Sequence, residues 1–103
     1  MSWDIIYTAG ARRDLKEIYG YIAYELLVPE TAKRQVQRIM QEIRGLDEMP
    51  MRFRLYDRDP WHSKGLRFFP VDHYLVFYLP DEAEHTVYIV RIMYSGRDVP
   101  RQL

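Results

Sequence analysis

A two-layer α+β fold with elements in the order β-α-α-β-β-β is what this sequence predicts, and three observations predict it. From Leu66 to Asp98, three runs rich in aromatic and β-branched residues are separated by short polar breaks at Asp72-His73 and at Pro80 to His85, the pattern of an antiparallel meander. Between Ala11 and Leu46, apolar residues recur at helical spacing, so each helix there buries one face. A single break at Val28-Pro29 divides that stretch, and so short a turn folds two helices into a hairpin. A helical hairpin laid on one face of a mostly antiparallel sheet covers the apolar surface of both.

The elements follow in order. Trp3 to Tyr7 is a short β-prone run. Thr8 can cap a helix through its hydroxyl. Ala11, Leu15, Ile18, Ile22 and Leu26 then fall on one helical face, which Tyr19 widens, while Arg12, Arg13, Lys16 and Glu17 lie off it. Pro29 suits the first turn of a second helix, where its missing N–H costs nothing. That helix is expected to bury Ala32, Val36, Ile39, Met40, Ile43 and Leu46 and to expose Lys33, Arg34, Gln37, Arg38, Gln41 and Arg44. Gly45 weakens its last turn and Pro50 excludes continuation. Met51 to Gly65 reads as a long irregular loop, basic and interleaved with Phe53, Tyr56 and Trp61. In the last strand Tyr88, Val90, Ile92 and Tyr94 are expected on one face and Val87, Ile89, Arg91 and Met93 on the other, with Arg91 facing a partly covered surface. One sheet face is expected to stay open, and the few residues after Asp98 read as too short for a helix.

Composition bounds the function. At 103 residues the chain is expected to be one domain, residues 1–103. Fifteen basic and 15 acidic residues cancel, which argues against a nucleic-acid binder that relies on overall positive charge and leaves room for a local basic patch. Without cysteine there is no disulfide, thiolate metal site or cysteine nucleophile, and no cofactor or metal is expected. No apolar run approaches the ~20 residues that span a bilayer, so no membrane association and a cytoplasmic location are expected. The exposed apolar side of the meander, or the groove of the helical hairpin, offers a landing site for an amphipathic helix or an added strand from a disordered partner.

Thr8, Ala11, Asp14, Leu15, Ile18, Tyr21 and Ile22 at the start resemble the first strand and helix of the RelE/ParE toxin superfamily. Leu66-Arg67, Tyr74-Leu75-Val76-Phe77-Tyr78 and Val90-Arg91-Ile92-Met93-Tyr94, ending in Arg97-Asp98, resemble its meander. The resemblance implies the toxin of a type II toxin–antitoxin pair, with a cognate antitoxin as partner and a homodimer or toxin–antitoxin heterotetramer as the assembly. ParE-like members inhibit DNA gyrase; RelE-like members act with the ribosome on messenger RNA.

A RelE-like nuclease needs no metal, only groups that activate a 2′-hydroxyl, stabilise charge on the phosphate and protonate the leaving oxygen. By this resemblance the candidates are Arg67, Arg97, Tyr94 and His73. Each has a plainer reading: a solvated edge-strand arginine, a structural ion pair, a packed aromatic and a solvated turn histidine. The departures favour the ParE-like branch. Leu75 follows Tyr74 where nucleases carry arginine, and no tyrosine follows Arg97. Basic residues from Arg52 to Lys64 are diluted by Asp57 and Asp59, and they fit nucleic acid, solvent or an acidic antitoxin.

Overall fold

The meander forms where the three β-prone runs lie. In the computed structural model, which describes residues 2–96 and 99–103, β2 (Arg67–Val71), β3 (Tyr74–Asp81) and β4 (Thr86–Tyr94) pair antiparallel in succession. β1 (Asp4–Tyr7) adds to the other side of β4 and runs parallel to it, giving the sheet order β1-β4-β3-β2. A parallel neighbour requires a long crossover, and the helical hairpin supplies it.

α1 (Ala9–Gly20) starts where Thr8 permits. The Thr8 side-chain oxygen accepts from the Ala11 N–H at 3.2 Å, and its hydroxyl donates to the Ile89 carbonyl at 2.8 Å. One side chain thus caps the helix and fastens it to β4. α2 (Pro29–Arg44) opens with Pro29 in its first turn. Ala11, Ile39, Ile43 and Leu46 meet Phe69, Val71, Val76, Tyr78, Val87, Ile89 and Ile92 in the main core between the helices and the sheet.

Several expectations are corrected. The first helix does not run regularly to Leu26. It passes after Gly20 into a π-helical turn, Tyr21–Glu25, closed by the Leu26 N–H on the Tyr21 carbonyl at 3.1 Å. The wider turn rotates Leu26 out of the core face and leaves it exposed. Met40 is exposed as well, and Val36 is only half-buried.

The face alternation of β4 is broken. Phe77 pairs with Arg91 and Tyr78 with Ile89, so Val90 is an extra residue in a β-bulge. Ile92 thereby joins Val87 and Ile89 in the main core, and Val90 and Met93 pack in a second cluster.

The opposite sheet face is not open. Tyr56, Leu66, Phe77 and Met93 form this second core beneath Trp61, Val99 and Leu103. Its cover comes from the stretch read as an irregular loop and from the chain end. Met51 to Gly65 contains the short helix α3 (Trp61–Lys64), and Leu55 bridges Arg67 on the outer edge of β2. The last residues do form one turn, α4 (Val99–Gln102).

Candidate functional site: a groove at the hairpin tip

The π-helical turn shapes one side of a groove. Leu27 adopts φ 60°, and the Val28 N–H closes on the Ile22 carbonyl at 3.2 Å, so the chain reverses with its apolar side chains outward. Between this turn and the sheet lies a groove of about 670 Å³. Ile18, Ile22, Leu26, Val28, Ile92 and Met93 make its apolar surface, and Asp14, Glu17, Tyr21, Thr31, Gln35, His73, Tyr74 and Tyr94 its polar wall. Tyr21 is 57% exposed, Leu26 53% and Tyr94 50%, so large apolar surface is presented to solvent.

The two-residue turn between β2 and β3 sits at the rim. Asp72, at φ 54°, accepts Gln35 Nε2 and Arg38 Nε, each at 2.9 Å, which locks the turn to α2. The Arg38 guanidinium, then the Gln35 amide, hold the Asp72 carboxyl below its usual range. The Ser95 N–H donates to the His73 carbonyl at 2.8 Å, and the Tyr94 ring meets Tyr74 edge-on at 5.9 Å. His73 and Tyr94 therefore share one wall.

Arg67 does not join them. It pairs across the sheet with Tyr78, and its Nη1 donates to the carbonyls of Met51 at 3.0 Å and Phe53 at 2.7 Å. Arg97 lies outside the described residues. Of the four sequence candidates, two meet at the groove and one is tied to a loop backbone.

Arg91, expected to face a partly covered surface, is only partly exposed and is held by the protein itself. Its Nε donates to Asp14 Oδ2 at 2.7 Å and its Nη2 to Asp14 Oδ1 at 3.1 Å, while Nη1 reaches the Gln102 carbonyl at 2.6 Å. The Ile92 N–H beside the bulge also donates to Asp14, at 2.8 Å. This node joins α1, β4 and α4, and it backs the groove. Three cations of the basic loop sit on rings of the protein itself: Arg52 lies 4.7 Å from the Phe53 ring, Arg54 4.6 Å from Phe68 in β2, and Lys64 5.1 Å from Trp61. Cations seated on these rings occupy faces that bases would need for stacking.

Among the described residues no cluster of three or more His, Asp or Glu side chains could hold a metal, and no helix is long and apolar enough to cross a membrane.

Residues 5–99 match the family model described as the ParE toxin of the type II toxin–antitoxin system parDE. The chain belongs to the ParE toxin family. No curated protein matches it. Among solved structures, the chromosomal ParDE toxin–antitoxin system of P. aeruginosa is similar at 21% identity and a TM-score of 0.73, over 90% of this chain and 96% of that one. The RelBE2 toxin–antitoxin complex of Mycobacterium tuberculosis is similar at 21% identity and a TM-score of 0.68, over 94% and 95%. The archaeal RelE–RelB complex of Pyrococcus horikoshii is similar at 15% identity and a TM-score of 0.64, over 94% and 99%. At these identities the structures share its fold. Helices packed on an open mixed sheet of four strands are common to this ParE-family chain and to them.

Proposed function

We propose that this ParE-family toxin acts by binding a cellular target, DNA gyrase, and that a cognate antitoxin neutralises it by folding onto the groove at the hairpin tip. The family match over residues 5–99 carries this reading. Two features support binding over catalysis. Leu75 stands where the nuclease pattern carries an arginine. Arg67 directs its guanidinium to the Met51 and Phe53 carbonyls. One observation favours the RelE-like alternative, an endoribonuclease acting with the ribosome on messenger RNA: His73 and Tyr94, both able to move protons, share a cavity wall.

Expression in bacteria separates the two. Induced alone, the protein should arrest growth with filamentation and DNA-damage signalling; co-expression with its cognate antitoxin should restore growth. Immediate translation arrest with cleaved transcripts that disappears in a His73→Ala, Tyr94→Phe variant would establish the nuclease instead. Unimpaired growth in both cases would remove the toxin reading.

A further inference from the structure

The groove has a charge character of its own. Its ionisable wall consists of Asp14, Glu17, His73 and three tyrosines, and no lysine or arginine is among the described residues that line it. The whole chain carries 15 basic and 15 acidic residues, so this wall is locally depleted of cations. Asp14 is engaged by Arg91 and the Ile92 N–H. Glu17 is exposed, and among the described residues its carboxylate makes no hydrogen bond or close ion pair; the Arg91 guanidinium, itself held by Asp14, attracts it through space. Its neighbours in the groove include the exposed Tyr21 and Tyr94.

A carboxylate beside aromatic rings, at the edge of an apolar floor, attracts a cation on an apolar stem. We propose that the groove docks an amphipathic helical segment of a partner protein bearing a lysine or arginine within its apolar face, the cation seating at Glu17. This rests on the toxin–antitoxin reading for the partner's identity, while the required chemistry follows from the groove itself. A volume of about 670 Å³ holds a few large side chains from one face of a helix. An acidic residue at that position would meet Glu17, whose nearby cation, the Arg91 guanidinium, is already bound by Asp14. The acidic charge of such a partner belongs instead over the outer helix faces, where Arg13, Lys16 and Lys33 are exposed.

The test pans a phage-displayed library of random peptides of about four helical turns, ~15 residues, against the full chain. Binding of the selected peptides is then measured by fluorescence anisotropy. The proposal expects apolar residues at helical spacing around a Lys or Arg. Changing that residue to Glu should weaken binding about tenfold, Glu17→Lys in the protein should weaken the parent peptide similarly, and the two changes together should restore it. Leu26→Arg should abolish binding of both peptides. Selected peptides that lack a basic residue, or that ignore Glu17→Lys or Leu26→Arg, would overturn the proposal. So would a dimer in sedimentation that Leu26→Arg disperses, since a second copy of the chain would then be the occupant. Failure of the charge swap with growth arrest and its relief intact would leave the toxin–antitoxin reading standing; loss of growth arrest itself would strike that reading alone.

Discussion

Tyr78 shows what one hydroxyl does at the centre of the molecule. It is fully buried and donates to the Pro50 carbonyl at 2.6 Å, fixing the chain after α2 over the main core. Burial pushes its ionisation up from 10.0 to about 12, although the Arg67 and Arg52 guanidinium groups pull the other way. Because the folded value is the higher one, the stability linked to the neutral hydroxyl is complete below pH 10.0 and lost as pH rises through about 12. Chemical denaturation at stepped pH should show a loss of roughly 2–3 kcal/mol over that interval. Tyr78→Phe should cost about 1 kcal/mol at neutral pH and flatten that part of the alkaline loss. At the other end of the core, Asp14→Ala leaves Arg91 and the Ile92 N–H without their acceptor. Urea denaturation should register a loss of about 3 kcal/mol. The Asp14–Arg91 pair was half legible in the sequence. Asp14 falls on the inner face between Ala11 and Ile18, and Arg91 sits among apolar neighbours in the last strand. Two charges each misplaced for its element suggest one another, but periodicity does not say that β1 lies beside β4, which is what brings α1 over Arg91.

At the scale of elements, the positions of the breaks were more legible than their geometry. Thr8, Pro29 and Pro50 each mark a helix boundary by local chemistry, and the structure places helix starts or stops beside all three. The π-helical turn is less legible: Tyr21 to Glu25 keep a helical pattern in sequence, and in the wider winding Ile22 and Ala23 pack against Ala32. The bulge at Val90 is equally silent, since a run of β-branched residues reads the same with or without it. Two glycines test the local packing. A Cβ at Gly10 would meet Arg91 Cδ and the Val90 carbonyl oxygen, each at 3.3 Å, where α1 crosses the bulge. Gly10→Ala should therefore destabilise by about 1 kcal/mol, because overpacking against the backbone outweighs the gain in helix propensity. At Gly20 the nearest atom is Tyr24 Cδ2 at 3.9 Å, so Gly20→Ala should stabilise by roughly 0.5–1 kcal/mol. Thermal melts of the two variants should shift in opposite directions.

Across the whole molecule, the order of elements and the helical layer were readable because amphipathic periods and turn residues encode them. The covering of the second sheet face was not. It depends on Tyr56 and Trp61 from an aperiodic stretch and on Val99 and Leu103 at the chain end, which carry no pattern before they are folded together. The same limit hid the groove, whose wall is drawn from α1, the hairpin turn, α2, the turn between β2 and β3, and the ends of β3 and β4. His73 and Tyr94 were singled out as residues, but their shared wall emerges only from the fold. Covering the far face leaves the hairpin tip as the place where large apolar side chains remain exposed together, which suits a toxin that works through a surface. The most direct test combines the purified chain with purified DNA gyrase, relaxed plasmid and ATP, alongside a cell-free translation reaction. Binding-based inhibition predicts loss of supercoiling at near-stoichiometric protein, with translation proceeding on intact transcripts. Unimpeded supercoiling together with transcripts cut on the ribosome would contradict it.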